Sequence, residues 1–161
     1  MKKTILLTLT VIAAIALNGC TKDGPAGPQG PAGTNGTNGN ANVISNTYTG
    51  NWIFQGGNEW DVTLNVPAIT SSIMSKGAVL VYFSGDGGVT WITLPTYVNP
   101  VSMIAVIKLS QVGIAAVGGS SAPAGTLFQV VVMSAQRWTN FPKNIDIKNH
   151  QAVKEYLHLT N

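Results

Sequence analysis

Hydrophobic and polar residues alternate along much of the chain from residue 42 onward. In residues 59–66, Trp60, Val62, Leu64 and Val66 alternate with acidic and polar residues. Successive side chains of a β-strand point to opposite faces, so this period of two predicts a strand with one face in a core and one in water.

Other apolar segments extend this prediction to about eight strands. Residues 78–83 form a continuous apolar run, as expected of a central strand that is covered on both faces. Clusters of Gly, Pro and Ser separate the remaining candidates at a spacing typical of sandwiches. These further strands are predicted over residues 43–49, 52–55, 89–94, 101–109, 112–117 and 127–134.

One or two short helices are also predicted. Thr70 is a candidate N-cap and Gly77 a candidate C-cap for a helical turn within residues 69–76 that crosses between sheets. Asn149 caps a final helix over residues 150–157. The fold class is therefore all-β, an antiparallel, jelly-roll-like β-sandwich; a small β-barrel is the alternative, because periodicity does not separate the two.

The first nineteen residues have the pattern of a secretory signal peptide. Lys2 and Lys3 precede an apolar segment, residues 4–17. This segment is too short to span a bilayer as a helix, which takes about 20 residues. We therefore expect it to be removed by cleavage.

The motif at the end of this segment is Leu17, Asn18, Gly19 and Cys20. It resembles the lipobox of bacterial lipoproteins. The resemblance implies cleavage before Cys20 and attachment of a diacylglycerol to its sulfur. Two or more acyl chains hold a protein firmly on a membrane, because each buried CH₂ contributes about 0.8 kcal/mol.

Every third residue from 24 to 41 begins a triplet with glycine. The six glycines are Gly24, Gly27, Gly30, Gly33, Gly36 and Gly39. Strict Gly-X-Y is the collagen pattern, because only glycine fits at the axis of three polyproline-II-like strands. Two arrangements stay open for so short a tract: an extended monomeric spacer of up to about 56 Å at ~3.1 Å per residue, and a trimeric rod nucleated by a trimeric head.

The amino-acid composition excludes several classes of function and of structural cross-link. Of 161 residues only 9% are charged, and residues 20–161 carry seven basic and six acidic side chains, which leaves no nucleic-acid-binding footprint. The single cysteine excludes an internal disulfide framework and a cysteine-based zinc cluster. We expect a signal peptide over 1–19, a lipidated cysteine and collagen-like spacer over 20–41, and a β-sandwich domain over 42–161.

One further motif lies in residues 84–91. Ser84, Asp86, Gly88, Thr90 and Trp91 match the pattern Ser-x-Asp-x-Gly-x-Thr-Trp, which resembles the Asp-box of sialidases. The resemblance implies a structural hairpin: the aspartate accepts hydrogen bonds from turn amides, the glycines allow positive φ, and the tryptophan packs beneath. Sialidases place their catalytic residues elsewhere, so no sugar hydrolysis follows.

No pattern in the chain predicts catalysis, a cofactor or a metal site. Glu59 and Asp61 share the outward face of one strand, as acids on a solvated face ordinarily do. His150 and His158 have no acidic or thiol partner at ligand spacing and are predicted to be surface residues. We therefore predict a domain that is not an enzyme.

The aromatic residues suggest one binding hypothesis. One or two of the tryptophans and tyrosines could form a face that stacks on sugars, although core packing explains most of them better. Among the tryptophans, Trp138 is predicted to be the most exposed. The residues concerned are Trp52, Trp60, Trp91, Trp138, Tyr48, Tyr82, Tyr97 and Tyr156.

Taken whole, the chain resembles the collagen-like-repeat lipoproteins of Gram-negative bacteria, a group largely without assigned biochemical function. The resemblance implies an outer-membrane lipoprotein, anchored through Cys20, with exposure on the cell surface left open. The expected function is to present a non-catalytic binding or structural module to a glycan or protein ligand. A homotrimeric, adhesin-like stalk protein is the alternative, followed by a carbohydrate-active hydrolase.

Overall fold

The structure is a computed structural model that describes residues 42–123 and 125–159. The predicted signal peptide over residues 1–19, the Leu17-Asn18-Gly19-Cys20 motif and the Gly-X-Y tract of residues 24–41 lie outside the described residues. Every helix within the described ranges is too short or too polar to span a lipid bilayer.

Two antiparallel sheets pack face to face as a β-sandwich, which confirms the predicted fold class. The described residues contain nine strands and three short helices. The strands are β1 (Val43–Thr49), β2 (Ile53–Gly56), β3 (Glu59–Asn65), β4 (Ala78–Ser84), β5 (Ile92–Thr93), β6 (Thr96–Val98), β7 (Val101–Lys108), β8 (Gln111–Val117) and β9 (Leu127–Met133). The helices are α1 (Ser71–Lys76), α2 (Ala135–Thr139) and α3 (His150–Leu157).

The strands divide between a four-stranded and a five-stranded sheet. The order is β1-β9-β4-β5 in the first and β2-β3-β8-β7-β6 in the second. The pairs β1–β9 and β3–β8 are nested as in a jelly roll, whereas β6, β7 and β8 follow one another as a meander. Helix α1 links β3 of one sheet to β4 of the other, as predicted.

Three elements differ from the sequence-based prediction. The strand expected over residues 89–94 is only Ile92–Thr93, because the amides of Val89 and Thr90 bond to the Asp86 side chain instead of a neighbouring strand. Strand β6 and helix α2 were not predicted, since each has fewer than six residues and neither shows a clear period.

The main core lies between the two sheets. Val62 and Leu64 of β3 point into it, and Val112 and Ile114 of β8 pack beside them. Phe128 and two valines of β9 cover them from the other sheet. The alternation along β3 is therefore the core-and-solvent pattern that the sequence predicted.

A second apolar cluster covers the outer face of the four-stranded sheet. Leu80 of β4 and Met133 of β9 point away from the main core and are buried by Val153 and Leu157 of α3. Strands β4 and β9 are thus covered on both faces, which explains the continuous apolar run predicted for residues 78–83.

Side-chain caps begin helices α1 and α3, as the sequence predicted. The Thr70 hydroxyl accepts a hydrogen bond from the N–H of Ile73, at 3.3 Å. The Asn149 side chain accepts one from the N–H of Ala152, at 3.1 Å. Such caps satisfy N–H groups that have no partner within the helix.

Candidate functional site

The turn over residues 84–91 is held together by its own side chains. The buried Ser84 hydroxyl donates to Asp86 Oδ1 at 2.7 Å and accepts from the N–H of Gly88 at 2.8 Å. Asp86 also accepts from the N–H groups of Val89 and Thr90, at 3.1 and 2.9 Å. The Thr90 N–H, then the Ser84 and Thr90 side chains, lower the pKa of Asp86 to about 2.

The backbone of this turn places Trp91 over the four-stranded sheet. Gly87 and Gly88 have φ values of 76° and 96°, which favour glycine. The Trp91 Nε1–H donates to the carbonyl of Gly88 at 3.0 Å. The indole ring is therefore fixed in orientation by the turn that precedes it.

His150 lies directly against Trp91, and the prediction that it is a surface residue was wrong. It is only 8% exposed. Its ring stacks on Trp91, with centroids 5.2 Å apart, and meets the Tyr82 ring edge-on at 4.8 Å. His150 shares the sheet-facing side of α3 with Val153 and Leu157, because positions i, i+3 and i+7 lie on one side of a helix. The other histidine, His158, is exposed as predicted.

The buried imidazole has a buried polar partner. His150 Nε2 hydrogen-bonds to Oε1 of Gln129, which points outward from β9. An amide oxygen only accepts, so Nε2 carries the proton. Burial first, and the positive charge of Lys154 second, lower the pKa of His150. The ring is therefore neutral near pH 7, with Nδ1 as its acceptor.

The segment before α3 is fastened to β4. The Tyr82 hydroxyl donates to the carbonyl of Ile147 at 2.8 Å. Asp146 accepts from the N–H of Lys148 at 2.9 Å. Burial, followed by the negative charge of Asp146, raises the pKa of Tyr82, so this donor stays protonated. These bonds set where Lys148 and the start of α3 lie relative to the turn.

A cavity of about 350 Å³ lies between the turn and the start of α3. Its lining contains one indole ring, one imidazole ring, two lysines, two side-chain amides, one hydroxyl group and no carboxylate. The N-terminus of a helix adds a partial positive charge to such a site. The lining residues are Gly88, Val89, Thr90, Trp91, Lys148, Asn149, His150, Gln151 and Lys154.

Most of the other aromatic residues named from the sequence serve packing. Trp52 meets Phe128 edge-on at 5.8 Å and donates to the Thr126 hydroxyl at 2.8 Å. Trp138 is the most exposed tryptophan of the described residues, as predicted, and it packs beside Phe141 at 5.8 Å. Of the tryptophans and tyrosines named from the sequence, Trp91 lines the 350 Å³ cavity.

The acidic residues do not form a cluster in the part of the chain that the structure describes. Glu59 and Asp61 lie two residues apart on the outward face of β3, as predicted. No group of three or more His, Cys, Asp or Glu side chains with metal-binding geometry occurs in residues 42–123 and 125–159.

A second, shallower depression of about 190 Å³ lies on the outer face of the five-stranded sheet. It forms where Gly113 of β8 stands between Thr63 of β3 and Val106 of β7, because glycine fills no space between these two side chains. Asp61 and Lys108 also line it.

Comparison of the chain with protein-family models, with curated proteins and with solved structures found no match.

The turn and the helix cap were predictable from the sequence, but the residues that they bring together were not predicted. Gln129 is a lone polar residue in an otherwise apolar strand, and such a buried amide requires a partner. His150 shares a helical face with two apolar residues. These two signals together would have indicated a buried histidine and glutamine pair, whereas nothing local places Lys148 beside the turn.

Proposed function

We propose that this protein is an envelope-anchored lipoprotein of the Gram-negative outer membrane that presents a non-catalytic β-sandwich on a short collagen-like spacer. We further propose that its head binds an acidic saccharide. The observation that carries the binding proposal is the 350 Å³ cavity, which is lined by Trp91, two lysines and no carboxylate. The lipobox and the Gly-X-Y tract support the anchor and the spacer.

The charge of the cavity favours an anionic ligand. Lys148 and Lys154 both line it, and the α3 N-terminus contributes a partial positive charge. Burial and the charge of Lys154 lower the pKa of His150, so it adds no positive charge to the cavity near pH 7. Cations on one side of a cleft attract carboxylate or sulfate groups and orient them.

The remaining lining residues favour a sugar ring as the carrier of that charge. A sugar offers apolar C–H faces for an indole ring and hydroxyl groups for amides, and Trp91, Asn149 and Gln151 supply both kinds of contact. Ligand pockets usually measure about 300–1,000 Å³, so this one lies at the small end of that range. It suits one saccharide unit of a longer glycan.

Two features support binding without hydrolysis. Most glycoside hydrolases use two carboxyl groups about 5–9.5 Å apart across the scissile bond, whereas the cavity lining has no carboxylate. The Nε2–H of His150 is engaged by the amide of Gln129 rather than by a nucleophile or an acid. The head is therefore proposed as a recognition module.

A binding experiment tests the ligand class. Oligosaccharides ending in glucuronic, galacturonic or sialic acid are titrated against the head by isothermal calorimetry, each paired with its neutral counterpart. We expect the acidic member of at least one pair to bind more tightly, with weakening as salt is added. Lys148→Gln should lower the affinity about tenfold, the loss expected for one hydrogen bond to a charged group.

The matched control is Lys108→Gln, which removes a lysine from the other sheet. It should bind like the wild type. If no acidic saccharide binds more tightly than its neutral counterpart, or if Lys148→Gln and Lys108→Gln are indistinguishable, the ligand proposal is wrong.

A separate experiment tests the proposed lipid anchor at Cys20. Cells grown with labelled palmitate should incorporate the label into the wild-type protein and not into Cys20→Ala. Mass spectrometry should find the chain beginning at Cys20 with two or three acyl chains. An exported product that is unlipidated, or one that retains residues 1–19, would contradict the anchor without affecting the ligand proposal.

A further inference from the structure

The strands at the edges of the two sheets differ in how they are protected against further pairing. Strands β1 and β5 end the four-stranded sheet, and β2 and β6 end the five-stranded one. Strands β5 and β6 have only two and three residues. Strand β2 has four, with an irregular register after Phe54. Short strands and bulges are common means by which natural sheets keep an edge from pairing with another chain.

Strand β1 is neither short nor bulged. It pairs with β9 over seven consecutive residues in one register. Residues 43–49 include no proline, no glycine and no charged side chain. Among the described residues no strand pairs with the other side of β1. Such a strand is an unprotected template for one more strand.

The hydrogen bonds at the two ends of β1 define which of its backbone groups face outward. The N–H of Ser134 donates to the carbonyl of Asn42 at 2.9 Å, and the N–H of Gly50 donates to the carbonyl of Thr126 at 3.0 Å. Both bonds join residues directly opposite each other in the β1–β9 register, so the even-numbered residues of β1 bond to β9. The odd-numbered residues therefore direct their N–H and C=O groups away from β9. We call these outward groups the open edge, which belongs to Val43, Ser45, Thr47 and Thr49.

We infer that the open edge pairs antiparallel with the open edge of a second copy, about a two-fold axis at Asn46. In this register Ser45 lies opposite Thr47 of the second copy, and the two ends of the strand lie opposite each other. Every N–H and C=O of the open edge then meets one of the second copy. Two four-stranded sheets become one continuous sheet, and the contact closes at two copies. The inference does not depend on the ligand cavity or on the anchor.

The apolar side chains of β1 complement each other in this register. Ile44 and Tyr48 lie on the core-facing side of the strand, opposite Val132 and Phe128 of β9. Tyr48 packs against the core, whereas Ile44 is 49% exposed at the edge of the sheet. The two-fold register places Ile44 of each copy beside Tyr48 of the other. Pairs of a β-branched and an aromatic side chain stabilise antiparallel strands.

The polar side chains of β1 also find partners. The Ser45 hydroxyl is buried and has no hydrogen-bond partner within the described residues. Rotation about its Cα–Cβ bond would turn it toward the Thr47 hydroxyl of the second copy. The two Asn46 amides meet at the axis, where each offers a donor and an acceptor. Because the strand carries no charge, two copies of it do not repel each other, and this self-complementarity identifies a second copy as the occupant.

Sedimentation equilibrium tests the inference on the chain from residue 20 onward, carrying Cys20→Ser so that no lipid is attached. We expect a monomer and a dimer, with the dimer fraction rising with protein concentration. Ile44→Lys should lower the association constant at least about tenfold, because the contact would bury an unpaired charge. The matched control is Ile104→Lys, since Ile104 is 47% exposed but lies on β7 of the other sheet. It should dimerise like the wild type.

Far-ultraviolet circular dichroism confirms that each variant is folded. A wild type that stays monomeric would overturn the inference, which is the result expected if an extended segment of another protein is the occupant of the open edge. A trimer that forms equally well in Ile44→Lys would overturn it too.

A cross-linking experiment tests the register and does not require a variant that disrupts the contact. Asn46→Cys, combined with Cys20→Ser, leaves one thiol in the chain. At the two-fold axis the Cα atoms of residue 46 would stand about 4.5 Å apart, as in a non-hydrogen-bonded pair. That separation lies within the range of about 4.4–6.8 Å that a disulfide spans.

Air oxidation with copper–phenanthroline should link Asn46→Cys into a covalent dimer at least about tenfold faster than Asn65→Cys. Asn65 is a matched control because it is an exposed asparagine on a strand of the other sheet. Equal rates of cross-linking in the two variants would overturn the two-fold register at Asn46.

Discussion

The two sheets of this sandwich differ in how their outer faces are covered. Both have apolar residues on their outer faces, but the four-stranded sheet is covered by its own C-terminal segment and the five-stranded sheet is not. The covered face also carries the turn, the buried histidine and the cationic cavity. One outer face is thus buried by the chain itself, whereas apolar residues on the other outer face stay exposed among the described residues.

The difference teaches where a polar site can be built in a small β-sandwich. Covering a sheet with a helix creates an edge where the cover ends, and side chains from both layers meet there. At this edge α3 supplies His150 and Lys154, and the 84–91 turn supplies Trp91. A flat and uncovered sheet offers only a shallow depression, such as the one beside Gly113.

The largest effect on the free energy of unfolding is expected from a substitution in α3, which covers the four-stranded sheet. Leu157 is fully buried in the cluster between α3 and the four-stranded sheet. Leu157→Ala should lower the free energy of unfolding by about 2–5 kcal/mol, because it removes apolar contacts and leaves a cavity. Urea denaturation followed by circular dichroism measures the change.

Leu109→Ala is the matched control, because it is the same substitution at a residue that is 60% exposed and lies just after β7. It should change the free energy of unfolding by less than about 0.5 kcal/mol. Equal losses in the two variants would contradict the distinction between a covered sheet and a bare one.

The next largest effect on the free energy of unfolding is expected at the buried, hydrogen-bonded pair of His150 and Gln129. His150→Leu leaves the buried Gln129 amide without its partner, which should cost about 1–3 kcal/mol of unfolding free energy. The double variant Gln129→Leu with His150→Leu should recover part of that loss, because no buried polar group is then left unpaired. No recovery would mean that the pair contributes nothing beyond its packing.

The same histidine predicts a pH dependence. Its pKa is lowered in the folded state, so the unfolded chain binds the proton more tightly. Stability contributed by the neutral ring is therefore complete above the unfolded pKa of about 6.5 and is lost as the pH falls below it. Thermal melts between about pH 7.5 and pH 5 should show this loss in the wild type and a smaller one in His150→Leu.

A smaller effect, confined to acid conditions, is expected at the turn. The pKa of Asp86 is lowered to about 2, so its contribution to stability is complete above the ordinary value of 3.8 and is lost as the pH falls toward 2. Asp86→Asn should be less stable than the wild type near neutral pH, and the difference should shrink across that window.

Ser84→Ala sharpens this test, because it removes the hydroxyl that donates to Asp86. The acid-induced loss should then begin closer to pH 3.8 than in the wild type. Identical acid profiles in the wild type, Asp86→Asn and Ser84→Ala would contradict the role given to the carboxylate.

The smallest effect on the folded head is expected on the uncovered outer face of the five-stranded sheet. Ile104→Thr should change the unfolding free energy by about 0.5 kcal/mol or less in dilute solution, since nearly half of the Ile104 side chain is already exposed. Urea denaturation followed by circular dichroism measures the change. A loss as large as that of Leu157→Ala would contradict the description of this outer face as uncovered.

Much of the fold was predictable because its signals are local. The alternation in β3, the apolar run in β4 and the caps of α1 and α3 each depend on residues close together in the chain. The short strand β5 was not, because the Asp86 carboxylate competes for amides that a strand would have used. Side-chain competition of this kind depends on the three-dimensional geometry of a turn.

The sandwich class, the positions of most strands, the 84–91 turn and the cap of the last helix follow from periods and motifs within a few residues, so they could be predicted before the fold was known. The expected anchor and spacer also come from the sequence alone. Three relations became visible only in the folded chain: His150 is buried against Gln129, two lysines lie beside Trp91, and one sheet is covered on its outer face while the other is not. Those relations join residues far apart in the chain, and the packing of one layer on another sets them.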